Sequence, residues 1–461
     1  MPEDAPITSA AATIAADVAR FVHSLAFESL PAAVVQQAER CLLDLAGIAA
    51  GGSTTELSRL ARAYASTHLC STDHPARILF DGRRAGTAGA AFAGAATIDA
   101  LDGHDGHRLT KGHAGVAILP TLLALADERA SRSAAVDPRE FIVCFVVGYE
   151  IATRAGIALH ASVSDYHCSG AWNAIGSAAV AARFLGLDDT QTREALGIAE
   201  YFGPRGQMMR TCAAPSMVKD GSGWGAHTGV TAAWLAREGF TGAPAVTVEH
   251  DAPALWSDLG TRWRILEQYF KPYPVCRWAQ PAIEAALRLQ RAHVFVAEDI
   301  EQVTIVSFAE AVALAPDRAI PRTTEDAQYS LAYPVAAALA FGRVGPAEVT
   351  SPTIDDARVH RLLSLVALRD DPELSSRFPA ERLARVDIRL RDGRVLQSTL
   401  TEARGDPEAP LSDDELREKF EALAVPVLGA TRAKQIEQRV TALRDSDSLD
   451  ALLDALLQPA A

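Results

Sequence analysis

Between Leu101 and His113 the chain reads LDGHDGHRLTKGH, which sets three histidines, two aspartates, a lysine and an arginine within thirteen residues. Such a set suits proton transfer, because histidine, with an ordinary pKa of about 6.5, gives and takes protons near neutrality. Three readings fit the segment: a solvated connection between helices, a metal centre, or one wall of an acid–base site. On a helix Asp102 and Asp105 would share a face, as would His104 and His107. Gly103, Gly106 and Gly112 argue instead for an irregular loop ahead of a helix that begins near Gly115. A metal centre needs histidine and carboxylate ligands converging with oriented outer partners. No HExxH motif or cysteine partner supports one, so no metal is expected.

Polar groups in comparable settings further along favour the acid–base wall. SDYHCSGAWNAIG (164–176) puts His167 and Ser169 just before a small-residue helix, whose N-terminus favours an anion such as a substrate carboxylate. The plainer role for Ser169 is to cap that helix. PSMVKDGSGWGAHTG (215–229) sets Lys219 before a Gly-rich run, without the spacing of a P-loop; alone, Lys219 reads equally well as a surface lysine in a turn. YFKPYPVCRW (269–278) contributes Lys271, Tyr273, Cys276 and Arg277, and AQYSLAY (327–333) contributes Tyr329 and Tyr333. An isolated tyrosine is more often a core residue with a satisfied hydroxyl.

The elements that must position these groups are mostly helices. At 461 residues the chain is long enough for two domains. Apolar residues make up 49% and charged residues 22%, an ordinary enzyme composition. From about residue 8 to 240 the periodicity is helical throughout: AAVVQQAERCLLDLAGIAAGG stops on Gly-Gly, and NAIGSAAVAARFLGL and HTGVTAAWLAREGF carry small residues that permit close helix contact. Pro272 and Pro274 break the pattern. Beyond them VTIVSF (303–308) reads as a strand, and RVDIRLRDGRVLQSTL (385–400) as a hairpin about Asp392-Gly393. The predicted fold is mainly α: an all-helical part (1–269), a smaller α/β domain (270–402) with an antiparallel sheet, and a helical tail (403–461) placed to pack back on the first part. KPYPV (271–275) is the crossing point, a favoured place for a cleft.

The net charge of −14 argues against nucleic acid as a partner. The Ala/Gly-rich stretch 85–101 reads as a buried helix, not a membrane span. Six scattered cysteines form no CxxC pair, and MPEDAPITSAAATIAADVARF shows no secretory signal, so free thiols in the cytoplasm are expected.

Together, ALDGHDGHRLTKGHAGVAILPTLLALA, GYEIATRAG, YHCSGAWNAIGSAAVAARFLGL, SMVKDGSGWGAHTGVTAAWLA, KPYPVCRWAQPAIEA, QYSLAYPVAAAL and RGDPEAPLSDDELREKF resemble, in order, the blocks of the MmgE/PrpD family. That family includes 2-methylcitrate dehydratase, cis-aconitate decarboxylase and iminodisuccinate epimerase. The resemblance implies a large all-helical domain built from both chain ends (1–269 and 403–461), a smaller α/β domain between them, and a homodimer that works without metal or organic cofactor. It implies catalytic roles for Asp102 or Asp105, His113, His167, Lys219 and Tyr333, with substrate binding by Lys271. Ser169, His107, Cys276 and Arg277 join the substrate-binding set. Cys276 stands where the decarboxylase and some relatives place a histidine, and His107 lies near the place of a missing threonine. Both departures weigh against cis-aconitate decarboxylation.

The shared step would remove a proton from the carbon beside a carboxylate, with Lys219, Lys271 and Arg277 stabilising the developing charge and clamping the acid. The MVKDGSGWG and KPYPVCRW forms are similar to the epimerase branch, which makes an iminodisuccinate-like amino dicarboxylate the expected substrate. Dehydration of a hydroxy-tricarboxylate is the alternative. More distant alternatives are a non-catalytic binder of anionic metabolites and a metal-dependent lyase.

Overall fold

The computed structural model describes residues 9–314 and 320–460. The acidic start of the chain, residues 1–8, lies outside them.

Helices dominate, and the longest runs follow the apolar periodicity. Those that build the site are α1 (Ala32–Gly52), α2 (Glu56–His68), α3 (Thr87–Asp99), α4 (Gly115–Ser131), α5 (Pro138–Ser162), α6 (Gly170–Leu185), α7 (Ser222–Arg237), α8 (Gln280–Ala292), α9 (Ala332–Phe341) and α10 (Asp413–Thr441). One apolar core gathers residues between Val18 and Phe270 and resumes with Leu411 to Leu457. A second core joins Val275 to Leu396 with Cys168, Met208 and Cys212. Lys271–Pro274 is thus the covalent strap between two cores.

Helix α5 is long and apolar enough to cross a bilayer, yet its apolar window is wholly buried by other helices, as a core helix of a folded body requires. The small residues foreseen in α6 and α7 do let them touch. A Cβ at Gly229 would come within 2.5 Å of the Ala174 carbonyl oxygen. Close-packed interiors leave no slack for that atom.

Short strands also occur in the helical half, where the sequence pattern showed none. β1 (Pro75–Arg77) pairs with β2 (Arg84–Gly86), and β3 (Gly106–His107) with β4 (Gln268–Tyr269). Two or three residues are too few to display alternation, so these ladders leave no trace in the sequence. The main sheet runs in the order β6 (Val366–Asp370), β5 (Ile300–Ser307), β7 (Leu383–Leu390), β8 (Val395–Gln397), with β9 (Thr401–Glu402) also on β7. All pairings are antiparallel except β5 with β6. The foreseen hairpin is β7–β8, turning at Gly393 with φ 90°. Helix α8 packs on this sheet, and α10 returns the chain end to α1.

Candidate active site

The two-residue ladder β3–β4 sets Gly106 opposite Tyr269. It carries Lys271 back to the start of the 101–113 loop, where Nζ donates to Asp102 Oδ1 at 2.6 Å and to the Asp102 carbonyl at 2.8 Å. Both side chains are buried. Asp102 sits in the left-handed backbone region (φ 46°), as do Lys111 (52°) and Lys219 (47°). Such residues store about 1–3 kcal/mol of strain each and gather at functional sites.

His113 donates its backbone N–H to Ser169 Oγ at 2.9 Å. Its ring Nδ1 lies 2.6 Å from the Asp105 carbonyl oxygen. A carbonyl only accepts, so Nδ1 carries the proton and Nε2 keeps a lone pair, 3.9 Å from Asp102 Oδ1. Burial, then the Lys271 ammonium, push the His113 pKa down to about 3, which keeps the ring neutral. The His104 ring lies 4.2 Å from that of His113, and neither of its nitrogens has a partner. Asp102, His104 and His113 each offer one ligand-type atom, all within 4.8 Å. A divalent ion there would press against the Lys271 ammonium already held by Asp102, so this geometry favours proton chemistry.

Where the sequence suggested a substrate carboxylate, a carboxyl group of the protein itself occupies the N-terminus of α6. Asp220 Oδ1 accepts from the Ser169 backbone N–H at 3.0 Å, and Oδ2 accepts from Ser169 Oγ. Ser169 therefore does not cap the helix with its own hydroxyl. Burial and neighbouring Asp99 push the Asp220 carboxyl well up, so that it holds a proton. Lys219 donates to Gln328 Oε1 and lies 5.0 Å from the Tyr329 ring centroid. The Cys276 thiol faces the same crevice, and burial, then Asp102, push its pKa up to about 12.

Asp102, His113, Lys271, Asp220, Cys276 and Arg277 thus share one crevice, and Tyr269, Lys111 and Arg382 are among the other residues of its walls. Lys219 stands at its edge, where an apolar groove of about 570 Å³ begins. The groove is the larger space, but the titratable groups converge on the crevice.

Other expected site residues lie elsewhere. Asp105 accepts from Tyr149 Oη at 2.9 Å, behind the crevice, and reaches His113 only through its backbone carbonyl. His107 turns to Glu267 at 3.1 Å, because strand alternation in β3 points it away. His167 is half-exposed, its Nδ1 3.3 Å from the Arg205 carbonyl oxygen. Tyr333 lies in the first turn of α9, buried in the second core, and donates to the Glu348 carbonyl at 2.8 Å. Tyr329, four residues earlier, faces the crevice instead. Arg277 lines the crevice, but its Nη2 is paired with Asp406 at 2.5 Å.

Sequence reasoning missed Asp99, Asp220, Lys111, Tyr269 and Arg382. One signal was present for the lysines. The chain has only five, against 44 lysines and arginines together, and Lys111, Lys219 and Lys271 border the site. A fourth, Lys419 of α10, braces it: Nζ donates to Asp44 Oδ1 at 2.5 Å and to the Gly103 carbonyl at 2.7 Å. Asp44 Oδ2 in turn accepts from the Asp105 backbone N–H at 3.1 Å.

Burial, then Asp44, raise the Asp105 pKa from 3.8 to about 8. The folded chain therefore keeps a proton that the unfolded chain has released, and Asp105 lowers stability progressively as pH climbs from about 4 to about 8. Asp105→Asn removes that titration. Its melting temperature relative to the parent should rise between pH 5 and pH 9, by an amount equivalent to several kcal/mol at roughly 1.4 kcal/mol per pKa unit. A difference that stays flat across this range would contradict the buried, protonated Asp105.

The MmgE/PrpD N-terminal domain model matches residues 16–256, and the MmgE/PrpD C-terminal domain model matches residues 273–445. The chain is 27% identical over 480 residues to the cis-aconitate decarboxylase-like protein oryM of Aspergillus oryzae, covering 95% of this chain and 96% of that protein. It is 26% identical over 474 residues to human cis-aconitate decarboxylase, covering 97% and 95%. It is 27% identical over 251 residues to the 2-methylcitrate dehydratase of Cupriavidus necator, about half of each chain. With both domain models matched in order and together covering most of its length, the chain belongs to the MmgE/PrpD family.

Proposed function

We propose that this enzyme removes the proton beside a carboxylate of a small di- or tricarboxylate, and that its reaction is epimerisation of an iminodisuccinate-like amino dicarboxylate. The observation that carries the reading is His113. Its Nδ1–H is committed to Asp105, which leaves an unprotonated Nε2 in a crevice lined with cations. A base acts only from a proton-free atom within reach of the C–H.

In that step His113 Nε2 takes the proton, and the C–H electron pair moves onto the neighbouring carboxylate. The Lys271 and Lys219 N–H groups face the negative charge that develops. Lys271 depresses the basicity of His113 in the free crevice. A bound polyanion offsets that ammonium and returns basicity to the ring when substrate arrives. Epimerisation also needs a proton given back on the other face, and the protonated Asp220 carboxyl fits that part.

Asp220 supports a second reading as well. A buried acid can protonate a departing hydroxyl, and the relatives named as decarboxylases and a dehydratase point to lyase chemistry. Proton NMR on C4–C7 di- and tricarboxylates in deuterated water separates the two. Deuterium at the α-carbon without an alkene supports epimerisation, and a stoichiometric alkene supports the hydro-lyase. His113→Asn should lower either rate by about 100-fold or more, the usual worth of a positioned base. No exchange and no alkene with any acid would contradict both readings.

We also infer that two copies pair through the apolar groove beside the crevice. Leu60, Tyr64, Met217, Val218 and Trp224 remain 42–68% exposed there, a patch of the kind that marks an interface. Sedimentation velocity should show a dimer that Leu60→Asp, on α2, shifts toward monomer. A monomeric parent protein would end this inference.

A further inference from the structure

Four arginines are fully enclosed among the described residues: Arg154, Arg264, Arg277 and Arg382. Three have carboxylate partners. Arg154 pairs with Glu150 and Asp258, Arg264 with Glu267 and Asp258, and Arg277 with Asp406. Arg382 has none within ion-pair distance: Asp406 attracts it only from beyond that distance and is already engaged by Arg277 and Arg108. Its Nη2 donates to the Arg108 carbonyl at 3.0 Å, while Nε and Nη1 have no partner. A buried charge without a counter-ion is expensive, and nearly all buried polar groups are satisfied. Unlike the orphaned ring of His104, this group is a permanent cation and borders the crevice.

Its placement is specific. Arg382 comes from the sheet-bearing lobe, at the residue before β7, and its guanidinium lies 5.3 Å from the Tyr269 ring centroid. The same ring lies 6.4 Å from that of His113. Tyr269 therefore neighbours both the His113 ring of the helical body and the guanidinium of the other lobe. Arg277 also stacks on Tyr269, at 4.7 Å, but Asp406, Gln280 and the Arg404 carbonyl already engage it. Sequence pattern could not single out Arg382, because it sits in no motif and precedes an ordinary strand.

We propose that Arg382 is the receptor for the carboxylate remote from the carbon that reacts, so that the substrate is gripped from both lobes at once. This deepens the proposed function and rests on its crevice. The ligand class is a polycarboxylate whose far carboxylate lies a few carbons from the acidic C–H. An acid lacking that second carboxylate leaves the guanidinium unpaired and binds poorly. A guanidinium suits the role because its planar fork matches a carboxylate and keeps its charge when buried.

The test needs no turnover, so its failure and that of the proposed reaction are separable. Propane-1,2,3-tricarboxylate, a non-reacting probe, is titrated calorimetrically into the whole protein and into Arg382→Gln and Arg382→Lys. Binding to the Gln variant should weaken by about 10- to 100-fold, the worth of a charged hydrogen-bonded pair, with an intermediate loss for Lys. The melting temperature of the ligand-free Gln variant should hold or rise, because an unpaired buried charge has been removed. A merely structural arginine would do the reverse, lowering the melting temperature while folded protein bound the probe as before. Unchanged affinity in folded Arg382→Gln, or equal affinity in the Lys and Gln variants, would overturn the proposal. If the probe binds as described and no acid exchanges deuterium, the carboxylate receptor stands and the reaction assignment falls.

Discussion

The buried pair between Lys271 and Asp102 holds the two halves of the site together. Its 2.6 Å contact joins groups 169 residues apart, one on the strap between the cores and one on the loop after α3. Neither charge is tolerable alone in that interior. Breaking such a pair by removing one partner leaves an uncompensated charge and typically costs about 3–5 kcal/mol. The pair therefore fixes the position of the strap, and with it the sheet-bearing lobe that supplies Tyr329, Arg277 and Arg382 to the crevice. Lys419 and Asp44 brace the same loop from behind, so the returning C-terminal helix is part of the site's support.

Around that pair the electrostatics are arranged in opposition. A chain with net charge −14 gathers Lys111, Lys271, Arg277 and Arg382 on one small crevice. The cations make a positive field suited to an anion, and burial, then Lys271, depress the basicity of His113. Among the acids, Asp102 is pulled below the ordinary carboxylate range, despite its burial, by Lys271 and then Lys219. Asp220, deprived of such a partner and set beside Asp99, retains its proton. Environments that push like groups apart are what assign acid and base roles.

The sequence made the helical architecture readable because the signals there are long. The α1 boundaries, the start of α4, a strand read at 303–308 that runs from Ile300 to Ser307, and the hairpin after β7 follow from periodicity, Gly stops and an Asp-Gly turn. The site was readable where residue type carries chemistry, as in the loop 101–113, Lys219 and Lys271. It was not readable where side-chain direction decides. Asp105, on the irregular loop, and His107, in the two-residue β3, turn away from the crevice that Asp102 and His113 line, and Tyr329 precedes α9 while Tyr333 lies in its first turn. Arg382 depends on what surrounds it in space, which no local pattern records. The rarity of lysine in this chain was the one unused clue.

The central claim is that His113 waits in the crevice as a neutral ring with its proton on Nδ1 and a free Nε2. The most direct test is 15N NMR of the histidine-labelled protein, with the His113 signals assigned by their loss in His113→Asn. The account predicts the neutral Nδ1–H form, unchanged from pH 8 down to pH 5, since burial and Lys271 hold its pKa at about 3. An imidazolium at pH 6, or a neutral ring with the proton on Nε2, would contradict it.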